Sequence, residues 1–183
     1  MASVSPVTTV ILARHGQTDW NRDGIWQGHG DPPLNDLGRE QAAALAARLA
    51  AEPVEALYSS DLRRASETAA FIATAAGVPV LLDSGLREMD VGSWTGITVE
   101  EARRRFERSE QPDGETRDEF DARVVAALHR VASGHRNGRI VVVTHGGVAR
   151  ALQRHVLGEG LPLLGNGETD AYRYGERRFT RVD

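Results

Sequence analysis

Apolar residues along the chain recur at two periods, and the switches between them mark the elements. The run from Val7 to Ala13 is rich in β-branched residues and follows Pro6, which predicts a buried strand. After a long polar loop, Leu37, Leu45 and Leu49 share one face of a helix capped by Asn35 or Asp36, running to about Ala51 with Pro53 just beyond. Glu55 to Ser59 predicts a second strand. Asp61 is placed to cap a helix bearing Leu62, Ala65, Ala69 and Ile72, with Gly77 as its stop, and Val78 to Leu82 predicts a third strand.

Beyond a loop through Gly96, Thr98 with Glu101 and Thr116 with Glu119 each have the spacing of a capping box. The second precedes a longer helix ending near Gly134. The segment 108–114 between them reads as polar linker. Arg139 to Thr144 contains IVVV, the clearest buried strand, and a helix from about Gly147 to Leu157 follows it. The closing AYRYGERRFTRV alternates about a turn that contains glycine and predicts an antiparallel hairpin or edge strand. Strands alternating with helices predict an α/β fold: a three-layer α/β/α sandwich with a mostly parallel central sheet. In such sheets ligands bind beyond the carboxyl ends of the strands, so residues that follow strands are the candidates for chemistry.

The totals narrow the chemistry. A chain of 183 residues, 40% of them hydrophobic, is expected to form a single domain over 1–183. Its net charge of -4 argues against a broad basic surface for nucleic acid or acidic membranes, so any anion site must be local. Cysteine is absent, which removes disulfides, thiolate nucleophiles and cysteine-bound metal. All 22 Lys-or-Arg positions are arginine, which removes Schiff-base lysines and the lysine of a phosphate-binding loop. The N-terminal MASVSPVTT has no positive stretch and its apolar run is short, so a cytoplasmic protein without a membrane span is expected. The sequence sets no oligomeric state.

Four strand ends deliver candidate groups to one rim. The first ends at Arg14-His15-Gly16. The second, at YSSDLRRA, puts Arg63 and Arg64 on the first turn of a helix, where the macrodipole favours an anion. LREMDVGSWTG after the third contributes Glu88, and Thr144-His145-Gly146-Gly147 ends the fourth. Two histidines, guanidinium groups and a carboxylate suit phosphoryl transfer, which needs fixed positive charge on the phosphate oxygens, an in-line nucleophile and an acid for the leaving group. Without lysine or thiol, a histidine is the natural covalent nucleophile. Gly16 would let the backbone come close to the reacting group.

The blocks ARHGQTDWN, QGHGDPPLNDLGREQA, SSDLRRASETA, LREMDVGSWTG, PDGETRDEF and VVTHGGVAR occur in an order that resembles the histidine phosphatases of the phosphoglycerate-mutase-like superfamily, over nearly the whole chain. That resemblance implies His15 as the phosphate-accepting nucleophile, Arg14 and Arg64 as phosphate clamps and Glu88 as proton donor. It implies His145 as the second histidine on the phosphate, charged beside the arginines. Asn21, Gln27 and Gly28 are implied to line the phosphate and substrate pocket, and Gly146 to add a backbone N–H. Arg63 is left as a solvated neighbour. No metal and no cofactor are implied; the expected partner is a small phosphorylated substrate, hydrolysed through a phosphohistidine. A mutase of the phosphoglycerate type is the alternative, and a catalytically silent phosphate-binding module a remoter one. The compact stretch after Glu88 and the short ending favour the phosphatase.

Other features carry blander readings. Many relatives have arginine where this chain has Ile25; with Trp26 it would favour an apolar or broad alcohol moiety over one with a second acidic group. His29 lies in the substrate loop, where contact with ligand and simple solvation weigh equally. His129, His135 and His155 are given no chemistry. Arg103, Arg104 and Arg105 sit among glutamates and predict a solvated helix face rather than a nucleic-acid site. Trp20, Trp26 and Trp94 flank the quoted blocks and are candidates for pocket walls, Trp20 equally for core.

Overall fold

Ile140, Val141, Val142 and Val143 are all fully buried and form the middle of the molecule. In the computed structural model, which describes residues 6–105, 113–158 and 162–182, that run lies in one of six strands: β1 (Thr8–Arg14), β2 (Ala56–Ser59), β3 (Val80–Leu82), β4 (Arg139–Thr144), β5 (Thr169–Gly175) and β6 (Arg178–Arg181). They form one sheet in the order β3-β2-β4-β1-β5-β6. The first four in that order are mutually parallel, while β5 runs antiparallel to β1 and β6 antiparallel to β5. The described helices are α1 (Asp19–Arg22), α2 (Asp36–Leu49), α3 (Arg63–Ala76), α4 (Val99–Arg105), α5 (Arg117–Ser133) and α6 (Gly146–Leu157).

Alternation along the strands sorts the core into two layers. Val10, Leu12, Ile140 and Val142 point to one face and pack with Phe120, Val124 and Leu128 of α5 and Val148 and Leu152 of α6. Ala13, Val141 and Val143 point to the other and pack with Leu45 and Leu49 of α2 and Ala65, Ala69 and Ile72 of α3. Each fully buried valine or leucine stabilises the fold by about 1.5–3 kcal/mol. This is the α/β/α sandwich that the alternation predicts. None of the described helices is long and apolar enough to cross a membrane.

Local departures have identifiable causes. Leu37 is 48% exposed, because α2 turns Gly38 inward instead; a Cβ on Gly38 would lie 2.0 Å from the Gln17 carbonyl oxygen. Asp61 does not cap α3. Its carboxylate takes a forked pair from Arg87 at 2.5 and 2.7 Å, and the Arg63 N–H goes to Asp31 Oδ1 at 2.6 Å. The C-terminal turn is Glu176-Arg177, both with positive φ (51° and 60°), and Gly175 sits in the strand before it. Thr116 and Glu119 complete their capping box, whereas Thr98 shows one half, accepting from Glu101 N. Most of the linker expected at 108–114 lies outside the described residues.

Candidate active site

The sheet order assembles the rim. β1 and β4 are parallel neighbours with Arg14 opposite Thr144, so the residues that leave the two strands, His15 and His145, emerge side by side. Their ring centroids are 5.1 Å apart with planes inclined at 63°. Backbone bonds pin the exits of β1 and β2 to β4: His15 N–H donates to the Thr144 carbonyl at 2.9 Å and Ser60 N–H to the Val143 carbonyl at 3.0 Å. From Ser60 the chain enters α3, whose first turn carries Arg64.

His15 is buried, and its Nδ1 lies 2.7 Å from the Gly16 carbonyl oxygen. A carbonyl can only accept, so Nδ1 carries the hydrogen and the lone pair rests on Nε2. Burial, then the positive charges of Arg64 and Arg14, push the imidazole well below its ordinary value, against the opposing Gly16 hydrogen bond; the ring is a neutral base at neutral pH. Gly16 is needed for a reason other than approach to the reacting group. A Cβ there would sit 2.2 Å from the Gly38 carbonyl oxygen, so the pair Gly16 and Gly38 lets α2 pack directly on the loop that follows β1.

The two arginines are anchored by one end each. Arg64 is 1% exposed and gives Nη1 to the Gly30 carbonyl at 2.7 Å and Nη2 to the Gly28 carbonyl at 2.9 Å. Burial pushes its guanidinium down to about 10, still charged at neutral pH. Arg14 gives Nη1 to the Leu164 carbonyl at 2.6 Å. His145, fully buried, contacts Ser60 Oγ through Nε2 at 2.9 Å. Burial, Arg64, His15 and Arg14 push His145 well below its ordinary value, which favours a neutral ring before any anion is bound, where the family resemblance implied a charged one. Arg14 Nε, Arg64 Nε and His145 Nδ1 are buried without a protein hydrogen-bond partner.

Glu88 sits on the loop after β3. Its Oε1 accepts from Met89 N at 2.9 Å and its Oε2 from Gly147 N at 3.0 Å, which ties the carboxylate to the start of α6. Arg87, the neighbour that might have neutralised it, is turned to Asp61. The loop's main chain is held from outside: Arg123 donates to the carbonyls of Gly85, Arg87 and Glu88 while paired with Glu115, and His29 contacts the Glu88 carbonyl at 3.0 Å. His29 thus supports the proton-donor candidate through its backbone.

Arg14, His15, Asn21, Gln27, Gly28, Arg64, Glu88 and Gly146 all line one cavity of about 510 Å³, and the fully buried His145 ring is in edge contact with that of His15. Asn21 Oδ1 is engaged by the Thr18 N–H, the N-cap of α1, and Gln27 Oε1 accepts from the Thr18 hydroxyl. Trp20, Ile25 and Trp26 form walls, whereas Trp94 is buried and packs against Trp26 at 5.3 Å. Exposed Arg117 and Arg150 also border the cavity, as does Leu163. Asn166 donates to the His15 carbonyl at 2.9 Å.

Sequence reasoning missed Ser60, Gly147, Arg117, Arg150 and Asn166. The second glycine of THGG was a usable signal: a Cβ on Gly147 would lie 2.0 Å from Glu88 Oε1. Arg63 pairs with Glu67 on the surface, and Arg104 and Arg105 pair with Glu100 and Glu101, as solvated faces do. Among the described residues no group of three or more His, Asp or Glu is placed to hold a metal ion.

Residues 10–178 match the family described as the histidine phosphatase superfamily (branch 1). Over 157 residues the chain is 42% identical to phosphoglycerate mutase-like protein 4 of Arabidopsis thaliana, covering 78% of this chain and 68% of that protein. Over 163 residues it is 40% identical to the metal-independent phosphoserine phosphatase of the same plant, covering 81% and 68%. The solved mycobacterial glucosyl-3-phosphoglycerate phosphatase in complex with VO3 superposes with a TM-score of 0.82 at 30% identity, over 90% of each chain.

Proposed function

The chain belongs to the histidine phosphatase superfamily and is a phosphatase acting on small phosphorylated metabolites; on that premise we propose that it hydrolyses phosphomonoesters in two displacements through a phosphohistidine on His15. Nε2 of neutral His15 attacks phosphorus, the ester P–O bond breaks, and Glu88 gives its proton to the departing alkoxide. The Nδ1–H bond to the Gly16 carbonyl shares the positive charge that develops on the ring. Water then attacks the phosphoryl group, the P–N bond breaks, Glu88 takes a proton from that water, and inorganic phosphate leaves.

The observation that carries this reading is the set of three buried nitrogens, Arg14 Nε, Arg64 Nε and His145 Nδ1, that neighbour His15 and find no partner in the protein. A buried donor left unsatisfied costs about 1–3 kcal/mol, more when charged, and an anion beside His15 would remove that cost at all three. Gly146 opens α6, where N–H groups lack intrahelical partners and the helix end favours negative charge.

The wall supports a substrate class. Trp20, Ile25, Trp26 and Leu163 would meet the carbon skeleton of the alcohol, while Arg117 and Arg150 at the mouth would meet a second anionic group, such as a carboxylate. The positive charge missing at position 25 is thereby supplied from α5 and α6. The relative named for phosphoserine is consistent with such a substrate. The same reading sets the activity in the cytoplasm, where phosphorylated metabolites are retained by their charge.

The test is trapping. Enzyme mixed with 32P-labelled substrate and quenched in alkali should carry an acid-labile label on His15, and His15→Ala should carry none and lose at least about a thousandfold in turnover. Most of the activity surviving in His15→Ala would refute the mechanism.

A further inference from the structure

A neutral His145 serves a phosphoryl group only if its hydrogen is on the nitrogen that faces it, and the fold contains a group that selects this. We infer that Ser60 is a positioning residue that holds His145 in its Nδ1–H tautomer, so that the ring meets the phosphoryl oxygens as a donor. The inference deepens the phosphatase reading and rests on it.

Ser60 is fully buried and its main chain is fixed on both sides, N–H to the Val143 carbonyl at 3.0 Å and carbonyl to the Ser59 hydroxyl at 2.8 Å. Its Oγ makes two contacts among the described residues: it accepts from Leu62 N–H at 3.3 Å and lies 2.9 Å from His145 Nε2. A hydroxyl has one hydrogen to give. Directed at Nε2, that hydrogen satisfies the hydroxyl and leaves the ring hydrogen on Nδ1, the buried atom with no protein partner. The opposite tautomer would strand the hydroxyl hydrogen in the interior and turn a bare lone pair of Nδ1 toward the phosphoryl oxygens, where it repels them. Both penalties act in the same direction. The relay therefore runs from Leu62 N–H through Ser60 to His145, and from His145 to the substrate. It couples the start of α3, which also carries Arg64, to the second histidine.

The experiment is 15N NMR of the histidine-labelled enzyme near pH 7, which separates protonated from unprotonated ring nitrogens. Wild-type His145 should show Nδ1 protonated and Nε2 bare, with the Nδ1 signal moving on addition of inorganic phosphate. In Ser60→Ala the pattern should become mixed or inverted, and inhibition by inorganic phosphate and kcat/KM should each weaken by about ten- to a hundredfold, the loss expected for one donor to a charged group. Thr8→Val removes a buried hydroxyl at the opposite end of β1, bonded to the His135 carbonyl, and it should leave the 15N pattern unchanged. A wild-type ring protonated on Nε2 would overturn the inference even if Ser60→Ala fails to fold. So would a Ser60→Ala enzyme with wild-type pattern and phosphate affinity. An Nδ1–H pattern that shifts with phosphate, in an enzyme that forms no phosphohistidine, would overturn the mechanism while supporting this assignment.

Discussion

Gly147→Ala would displace Glu88, the proton donor of the proposed mechanism. The added Cβ would lie 2.0 Å from Glu88 Oε1 and 2.9 Å from its Cδ. Carbon and oxygen do not approach closer than about 3 Å, so the carboxylate must retreat by roughly 1 Å and its bond from Gly147 N–H is lost or lengthened. What yields is the end of a flexible side chain, so the backbone of α6 has no reason to move. Alanine in a first helical turn is favoured over glycine by up to about 1 kcal/mol, and the melting temperature should hold or rise. A misplacement of this size costs about a hundredfold where positioning matters, within the range of about 10²–10⁴ for a general acid. The loss should follow the leaving group. Phosphoserine and other alkyl phosphates depart as poor leaving groups and should lose about a hundredfold in kcat/KM, whereas p-nitrophenyl phosphate, whose phenolate leaves unaided, should lose under about tenfold. Steady-state rates on the two substrates, with a thermal melt of each enzyme, decide the matter. Equal losses on both, or a loss on neither, would refute Glu88 as the donor that Gly147 positions.

Other expectations follow from the same geometry. His15 and His145 are held neutral in the fold with values well below those of the unfolded chain, so the unfolded state binds more protons as pH falls below about 6.5. Stability should therefore be full above that pH and decline beneath it, by up to about 1.4 kcal/mol per pH unit for each ring. Melting curves from pH 7.5 to 5.5 should show a shallower decline in a His15→Asn, His145→Gln double variant; parallel curves would refute the assignment of that proton uptake. Arg117→Gln with Arg150→Gln should raise KM for phosphoserine severalfold and leave p-nitrophenyl phosphate within about twofold, read by initial rates; an equal effect on both would remove the second-anion reading. Turnover in excess EDTA should match that without it, and a full loss that zinc or magnesium restores would point to a metallophosphatase.

How much of this was legible depended on whether the signal was periodic, local or assembled. The IVVV run and the alternation of strands with helices specified the sheet, because burying two faces demands that pattern. The rim residues were readable because parallel strands all end on one side. Asp61 misled because a cap is only one use of a carboxylate at that position, and the fold supplies Arg87 from 26 residues away. The charge state of His145 could not be read, since how far burial and neighbouring arginines lower an imidazole depends on distances that only the fold fixes. Gly147 left a trace in THGG, yet its meaning, room for Glu88, exists only once the third strand's loop meets α6. Ser60 directly follows the second strand, but nothing around it in the sequence marks it as the partner of a histidine 85 residues on.

The neutral imidazoles explain why the anion site is made of guanidinium. A nucleophilic histidine must keep its lone pair, and a phosphate site must keep its charge; protonated histidines cannot do both at once. Arginine retains its proton even when buried, as Arg64 does with its value near 10, and its field then suppresses protonation of His15 and His145. The carbonyls of Gly28, Gly30 and Leu164 hold the two guanidiniums in place before any substrate arrives, leaving each Nε without a protein partner. On the proposed mechanism an entering dianion would offset that field, so the reacting ring could take up positive charge as the P–N bond forms. In that mechanism the same charges thus keep the ring unprotonated while it waits and stop opposing it when it reacts.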